Sequence, residues 1–184
     1  MKDLVKEALN REIKYKFTYD PDQYPWMYDI NSVQSKEEKV EWLQEWGNFV
    51  FDYAKARSIH IIDLFTIATE PPFNAFKQNR ERCLREIFDY LATQTVFAEW
   101  YNQEKTRLRI YWRSLEEWSE LLYDYMYLNG VEIATLIDIK NFGDTITEGF
   151  ATLPARDLKE IIEILIKNKK AVWIDKKTVK FLLA

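Results

Sequence analysis

The sequence predicts an α+β fold, mainly α, made from one small unit used twice. The first observation behind this is a self-match. Glu45-Trp46-Gly47-Asn48-Phe49-Val50-Phe51-Asp52-Tyr53 returns 72 residues later as Glu117-Trp118-Ser119-Glu120-Leu121-Leu122-Tyr123-Asp124-Tyr125. Ile59, Ile61 and Leu64 keep the same offset to Val131, Ile133 and Leu136, and the stretch from Leu84 to Leu91 is echoed from Leu158 to Leu165. A match held in register over several elements marks a duplicated supersecondary unit. The second observation is that each copy opens on a capping box, Ser35 with Glu38 and Ser114 with Glu117, in which each side chain satisfies an orphan backbone donor. The third is the order of elements, helix, strand, helix, helix, strand, strand, with a turn closing each hairpin. That is the order of a winged helix, so the expected architecture is a tandem repeat of two winged-helix domains. Trp112-Arg113-Ser114 passes straight from strand to helix, which predicts rigid contact between them.

Taken in order, residues 1–34 are expected to form an N-terminal amphipathic helix and an aromatic/proline arm. Leu4, Val5, Ala8, Leu9 and Ile13 share one side of a helical wheel over residues 1–14. From Tyr15 to Gln34 the chain is aromatic, with Pro21 and Pro25 and no periodicity. The first domain is placed at 35–112. Val40, Leu43, Trp46, Val50 and Tyr53 stripe its first helix to about Arg57. A strand is expected at Ile59–Ile62, a long helix at about Asn79–Thr93, and strands at Val96–Tyr101 and Arg107–Trp112. The second domain is placed at 113–184. Gly130 suits the left-handed position that ends a helix. Val131–Thr135 reads as its strand, Leu136–Phe142 as its small helix, Gly143–Thr152 as a polar loop, and Pro154 as a first-turn residue of the last helix. Ala171–Asp175 and Thr178–Leu183 close it as a hairpin.

Composition removes several classes of function. The chain has 184 residues, a formal net charge of −4, 16% aromatics and one cysteine. A lone Cys83 cannot form an internal disulfide, which fits a reducing, cytoplasmic setting. No apolar run reaches the roughly 18–20 residues of a spanning helix, and no secretory leader is read at the N-terminus. No catalytic site is expected. His60, expected as a partly exposed strand residue, has no ligand cluster around it for a metal. Cys83 has no second histidine to activate it. Four glycines make no phosphate-cradling loop. No cofactor, metal or small-molecule substrate is therefore implied. Nucleic acid is disfavoured, because acids interleave with the cations of both third helices and phosphate neutralisation dominates such binding.

Several stretches resemble the small winged-helix subunit of the ESCRT-II complex, the vacuolar protein sorting-associated protein 25 family. Trp112-Arg113-Ser114-Leu115-Glu116-Glu117-Trp118 is similar to its domain junction, Val179-Lys180-Phe181 to its C-terminal strand, and Glu70-Pro71-Pro72-Phe73-Asn74 to its first-domain loop. Tyr24-Pro25-Trp26-Met27-Tyr28 occupies the place of its proline–aromatic motif, with one proline where the family usually has two. That departure and the extra stretch 1–14 fit a divergent or archaeal lineage. The resemblance implies a non-enzymatic subunit, present twice in a Y-shaped assembly with two larger winged-helix subunits. It implies that the second domain recruits and activates the nucleating ESCRT-III subunit, in membrane remodelling and protein sorting. It also implies a cytoplasmic chain recruited peripherally to endosomal or cell membrane through its complex, with indirect membrane contact.

On this reading Tyr24, Pro25, Trp26, Met27 and Tyr28 anchor the arm to the larger subunits; the competing reading packs Trp26 on its own domain. In the hairpins, aligning Ala98 and Trp100 with Val172 and Ile174 gives the expected core parity. Glu99 then aligns with Trp173, which becomes a candidate contact for the ESCRT-III subunit, against the reading that it covers its own domain. Phe142 and Phe150 flank the polar loop and are further candidates. The runner-up function is a winged-helix DNA-binding transcription regulator; a third is a winged-helix scaffold of another complex, such as a proteasome lid or initiation-factor assembly.

Overall fold

The computed structural model describes residues 19–142 and 149–183. The expected helix at 1–14 lies outside the described residues, as does most of the loop after Phe142. The chain divides into two compact units that meet in sequence between Trp112 and Arg113.

In the first unit two 3-10 turns, Pro25–Tyr28 and Ile30–Ser32, lead into helix α1, Lys36–Ala56. Ser35 and Glu38 cap it reciprocally, as expected. Strand β1 (Ile61–Asp63), the short helix α2 (Leu64–Ile67), a 3-10 turn (Phe73–Ala75) and helix α3 (Arg80–Gln94) follow, then strands β2 (Ala98–Trp100) and β3 (Arg107–Ile110). The antiparallel sheet has the order β1-β3-β2, which completes a winged helix. Trp46 sits fully buried at the centre, with the rings of Tyr28, Phe49, Phe73 and Phe76 at 4.7–5.9 Å. Gly47 lets α1 and α3 approach: a Cβ there would stand 3.1 Å from Leu91.

The second unit repeats the design with helix α4 (Leu115–Leu128), strand β4 (Ile133–Thr135), helix α5 (Leu136–Phe142), a 3-10 turn (Phe150–Thr152), helix α6 (Ala155–Lys167) and strands β5 (Ala171–Trp173) and β6 (Thr178–Phe181). Its sheet order, β4-β6-β5, matches the first. Trp118 takes the place of Trp46, buried with Leu122, Met126, Leu158, Ile161, Ile162 and Leu165. The capping box at Ser114 and Glu117 is present. Pro154 stands one residue earlier than expected, at the N-cap of α6.

Helix ends show the duplication at backbone level. Ile59 N–H donates to the Ala54 carbonyl at 2.8 Å, and Val131 N–H donates to Met126 at 2.9 Å. Each bond closes a turn through a left-handed residue, Ser58 (φ 51°) in the first unit and Gly130 (φ 62°) in the second. A third such turn closes α6 through Lys169 (φ 60°), with Lys170 N–H donating to Leu165. Both sheet strands expected at Ile59–Ile62 and Val131–Thr135 are shorter, because these closing turns consume their first residues.

Candidate interaction surfaces

The arm is the first surface. Pro25 starts the 3-10 turn Pro25–Tyr28 from a position where its missing N–H costs nothing. A 3-10 turn has three residues per turn, so consecutive side chains splay to different sides. Met27 and Tyr28 are thereby driven into the first unit's core, while Trp26 is left 53% exposed. The Met27 carbonyl accepts from two indoles, Trp42 Nε1 and Trp46 Nε1, each at 2.9 Å. The Tyr28 hydroxyl donates to the Tyr19 carbonyl at 2.6 Å, and burial pushes its phenol pKa up. Tyr24 meets Tyr19 and Trp26 edge to face, at 5.3 and 5.4 Å. Of the five predicted anchor residues, Met27 and Tyr28 therefore serve their own domain. Trp26 stands free of that core, braced by Tyr24, with Pro25 setting the turn between them.

The acids of the third helix of the first unit are paired, while its Arg80 donates to the Asn74 carbonyl and holds no acid among the described residues. Arg85 pairs with Glu81 at 2.9 Å, Lys39 with Glu86 at 2.8 Å, and Lys105 with Asp89 at 2.9 Å. Cations already committed to acids have little left for phosphate.

The hairpins correct the predicted parity. Val172 and Ile174 are exposed at 42% and 53%, whereas Ala171 is buried. The true alignment sets Ala98-Glu99-Trp100 on Ala171-Val172-Trp173, because Ala98 faces Ile110 across the ladder as Ala171 faces Phe181. A slip of one residue exchanges the faces of a strand. Trp173 is thus the counterpart of Trp100. Each half-buried indole donates to an acid of its own third helix: Trp100 to Asp89 at 2.9 Å, Trp173 to Glu163 at 2.7 Å. Phe150, expected at the surface, is 1% exposed. It packs by Tyr125, as does the half-buried Phe142, at 5.9 and 5.6 Å.

Two readings of reactive side chains also resolve. His60 lies just before β1 and is buried, contrary to the expected partial exposure. Its ring stacks on Trp112 at 4.4 Å and meets Tyr111 edge-on. Cys83 is buried as a packed thiol, and burial pushes its pKa up. Among the described residues no group of three or more His, Cys, Asp or Glu could hold a metal, and no helix is long and apolar enough to cross a membrane.

Comparison with known proteins places this architecture. A family model described as ESCRT-II complex subunit matches residues 23–154. Vacuolar protein-sorting-associated protein 25 of Danio rerio is 29% identical over 171 residues, covering 86% of this chain and 98% of the relative. The protein of the same description from Homo sapiens is 25% identical over 170 residues, covering 86% and 97%. Among solved structures, the subunit VPS25 of the endosomal trafficking complex ESCRT-II aligns with a TM-score of 0.59 at 18% identity, over 80% of this chain and 90% of that one. A chain of the ESCRT-II complex structure aligns with a TM-score of 0.63 at 17% identity, over 86% and 96%.

Proposed function

This chain belongs to the ESCRT-II complex subunit family, and from that premise we propose that it serves as the small, non-catalytic subunit of an ESCRT-II assembly in vacuolar protein sorting. Its relatives carry that sorting role in their descriptions and align along nearly their whole length. Its part is to hold other proteins together. The arm and first domain engage the larger winged-helix subunits, and the second domain recruits the nucleating ESCRT-III subunit. The chain works on the cytoplasmic side of an endosomal or cell membrane, brought there by its complex.

The observation that carries the reading is Trp26. A large indole left half exposed, beside residues locked into the core, is an anchor held ready at little entropic cost. Aromatic anchors on pre-organised segments are typical interface hot spots. Pro25, fixed at the head of the turn, adds the flat face that aromatic-lined grooves accept. Trp173 and Phe142 are half-buried and offer the second domain's partner only their exposed edges, while buried Phe150 offers it none.

Substituting Trp26→Ala and measuring complex mass by light scattering with the larger subunits tests this. The expected result is loss of the complex with the fold retained, since Trp26 contributes little to its own core. An intact complex of unchanged mass removes the arm from the interface. The competing reading as a DNA-binding regulator predicts tight, strongly salt-dependent gel shifts that depend on the third helices; their absence favours the assembly role.

A further inference from the structure

We propose that the wing of the second domain, the β5–β6 hairpin with β4 beside it, docks directly on an anionic lipid bilayer. The two wings serve as each other's control. In the first, every cation of the hairpin is neutralised inside its own domain. Lys105 pairs with Asp89 at 2.9 Å, Arg107 with Asp63 at 3.5 Å and Arg109 with Glu99 at 3.1 Å. In the second wing two of the three matching acids are gone: Glu99 becomes Val172 and Asp63 becomes Thr135. The third is kept, Asp89 becoming Glu163, which accepts from Trp173 as Asp89 accepts from Trp100 but, among the described residues, holds no lysine of its wing. Lys176, Lys177 and Lys180 are all exposed and have no ion pair among the described residues. Asp175, between them and Ile174, accepts from Lys177 N–H at 2.7 Å and from Thr178 N–H at 2.8 Å, bonds that keep it ionised, so three lysines face one acid and the wing keeps a positive excess.

The apolar part of the surface lies on the same face. Side chains alternate along a strand, and the ladder sets Ile133, Lys180 and Val172 in one row across β4, β6 and β5. Ile133 is 55% exposed, and Ile174 and Leu182 continue the face at 53% and 38%. The result is a patch of four exposed aliphatic residues with one lysine at its centre and two at its tip. Lysines that reach headgroup phosphates while neighbouring aliphatics enter the acyl boundary are the pattern of peripheral membrane contact. A second copy of this chain is a poor occupant, because self-pairing of the face would bring Lys180 towards its own image. The proposal does not rest on the arm or on assembly with the larger subunits.

The test is co-flotation of the full chain with vesicles of neutral phosphatidylcholine and with vesicles carrying about a third phosphatidylserine. Binding is expected only to the anionic vesicles, and it should weaken with salt. Each lysine near such a surface is worth about fivefold in partitioning, so Lys176→Ser, Lys177→Ser and Lys180→Ser together should reduce binding on the order of a hundredfold. The charge-matched change at Lys36, Lys55 and Lys77, exposed in the first unit, should leave it nearly intact. A chain with Ile174→Trp reads insertion independently, by a blue shift on anionic vesicles and none with soluble glycerophosphoserine. Equal losses in the two lysine sets, no flotation on anionic vesicles, or wing-dependent binding to duplex DNA or an acidic peptide in place of vesicles would each overturn the proposal.

Discussion

The Met27 carbonyl offers a sharp test of how the arm is held. Two indole donors converge on one buried oxygen, Trp42 Nε1 and Trp46 Nε1, each at 2.9 Å. Replacing either tryptophan with phenylalanine removes one bond, worth about 1 kcal/mol net, plus a packing loss for the smaller ring. After one replacement the oxygen still has its other donor. After both, a buried acceptor is left without an indole, and an unsatisfied buried group costs roughly 1–3 kcal/mol. Packing losses that do not involve the other tryptophan cancel in a double-mutant cycle, and the excess contains the shared oxygen together with the Trp42–Trp46 ring contact at 6.2 Å, whose loss in either single variant works in the opposite direction. The double variant should therefore be less stable than the summed singles by about 1–2 kcal/mol. Native-state hydrogen exchange at the α1 amides reads the first unit without interference from the second. Additivity within about 0.5 kcal/mol would refute the idea that one carbonyl pins the arm to both tryptophans.

Other outcomes follow from the same geometry. Gly130→Ala should cost about 1 kcal/mol from backbone strain alone, because φ is 62° and a Cβ there meets nothing within 4 Å; Ser58→Gly at the matching turn should stabilise by roughly 0.5–1 kcal/mol, both read by urea denaturation. Asp63 caps α2, accepting from Thr66 N–H at 3.0 Å and Phe65 N–H at 3.1 Å. The backbone bond from Thr66, with further bonds from the Thr66 hydroxyl, Arg107 and Phe65 N–H, holds its carboxyl below the usual range. Its stabilisation is present above the unfolded pKa of about 4 and lost as pH falls through the lowered folded value. On acid titration the wild type should thus lose more stability than Asp63→Asn, and parallel curves would contradict the capping role.

Much of the fold was legible in the residues because its signals are local. Both capping boxes appear as predicted, and α5 spans Leu136–Phe142 as predicted. What failed depended on counting through a helix end. From Leu91 to Ala98 the chain takes seven steps, with an extended C-cap at Thr95; from Leu165 to Ala171 it takes six, with a left-handed turn at Lys169. That one-residue difference reverses the strand and moved Trp173 onto the wrong face. The arm failed for another reason. Five consecutive aromatic, proline and methionine residues look like one sticky stretch, and only the 3-10 turn separates Trp26 from the buried Met27 and Tyr28. The isolated sequence likewise hides that His60 is covered, since its partners Tyr111 and Trp112 lie some fifty positions away.

The split arm has a consequence for substitution. Tyr28 answers through its ring to Trp46 and Phe76 of the same chain, while Trp42 and Trp46 hold position 27 by a backbone carbonyl that any residue would supply. Trp26, half exposed, is under no such demand from the fold, so its side chain can be exchanged at little cost to the domain that carries it.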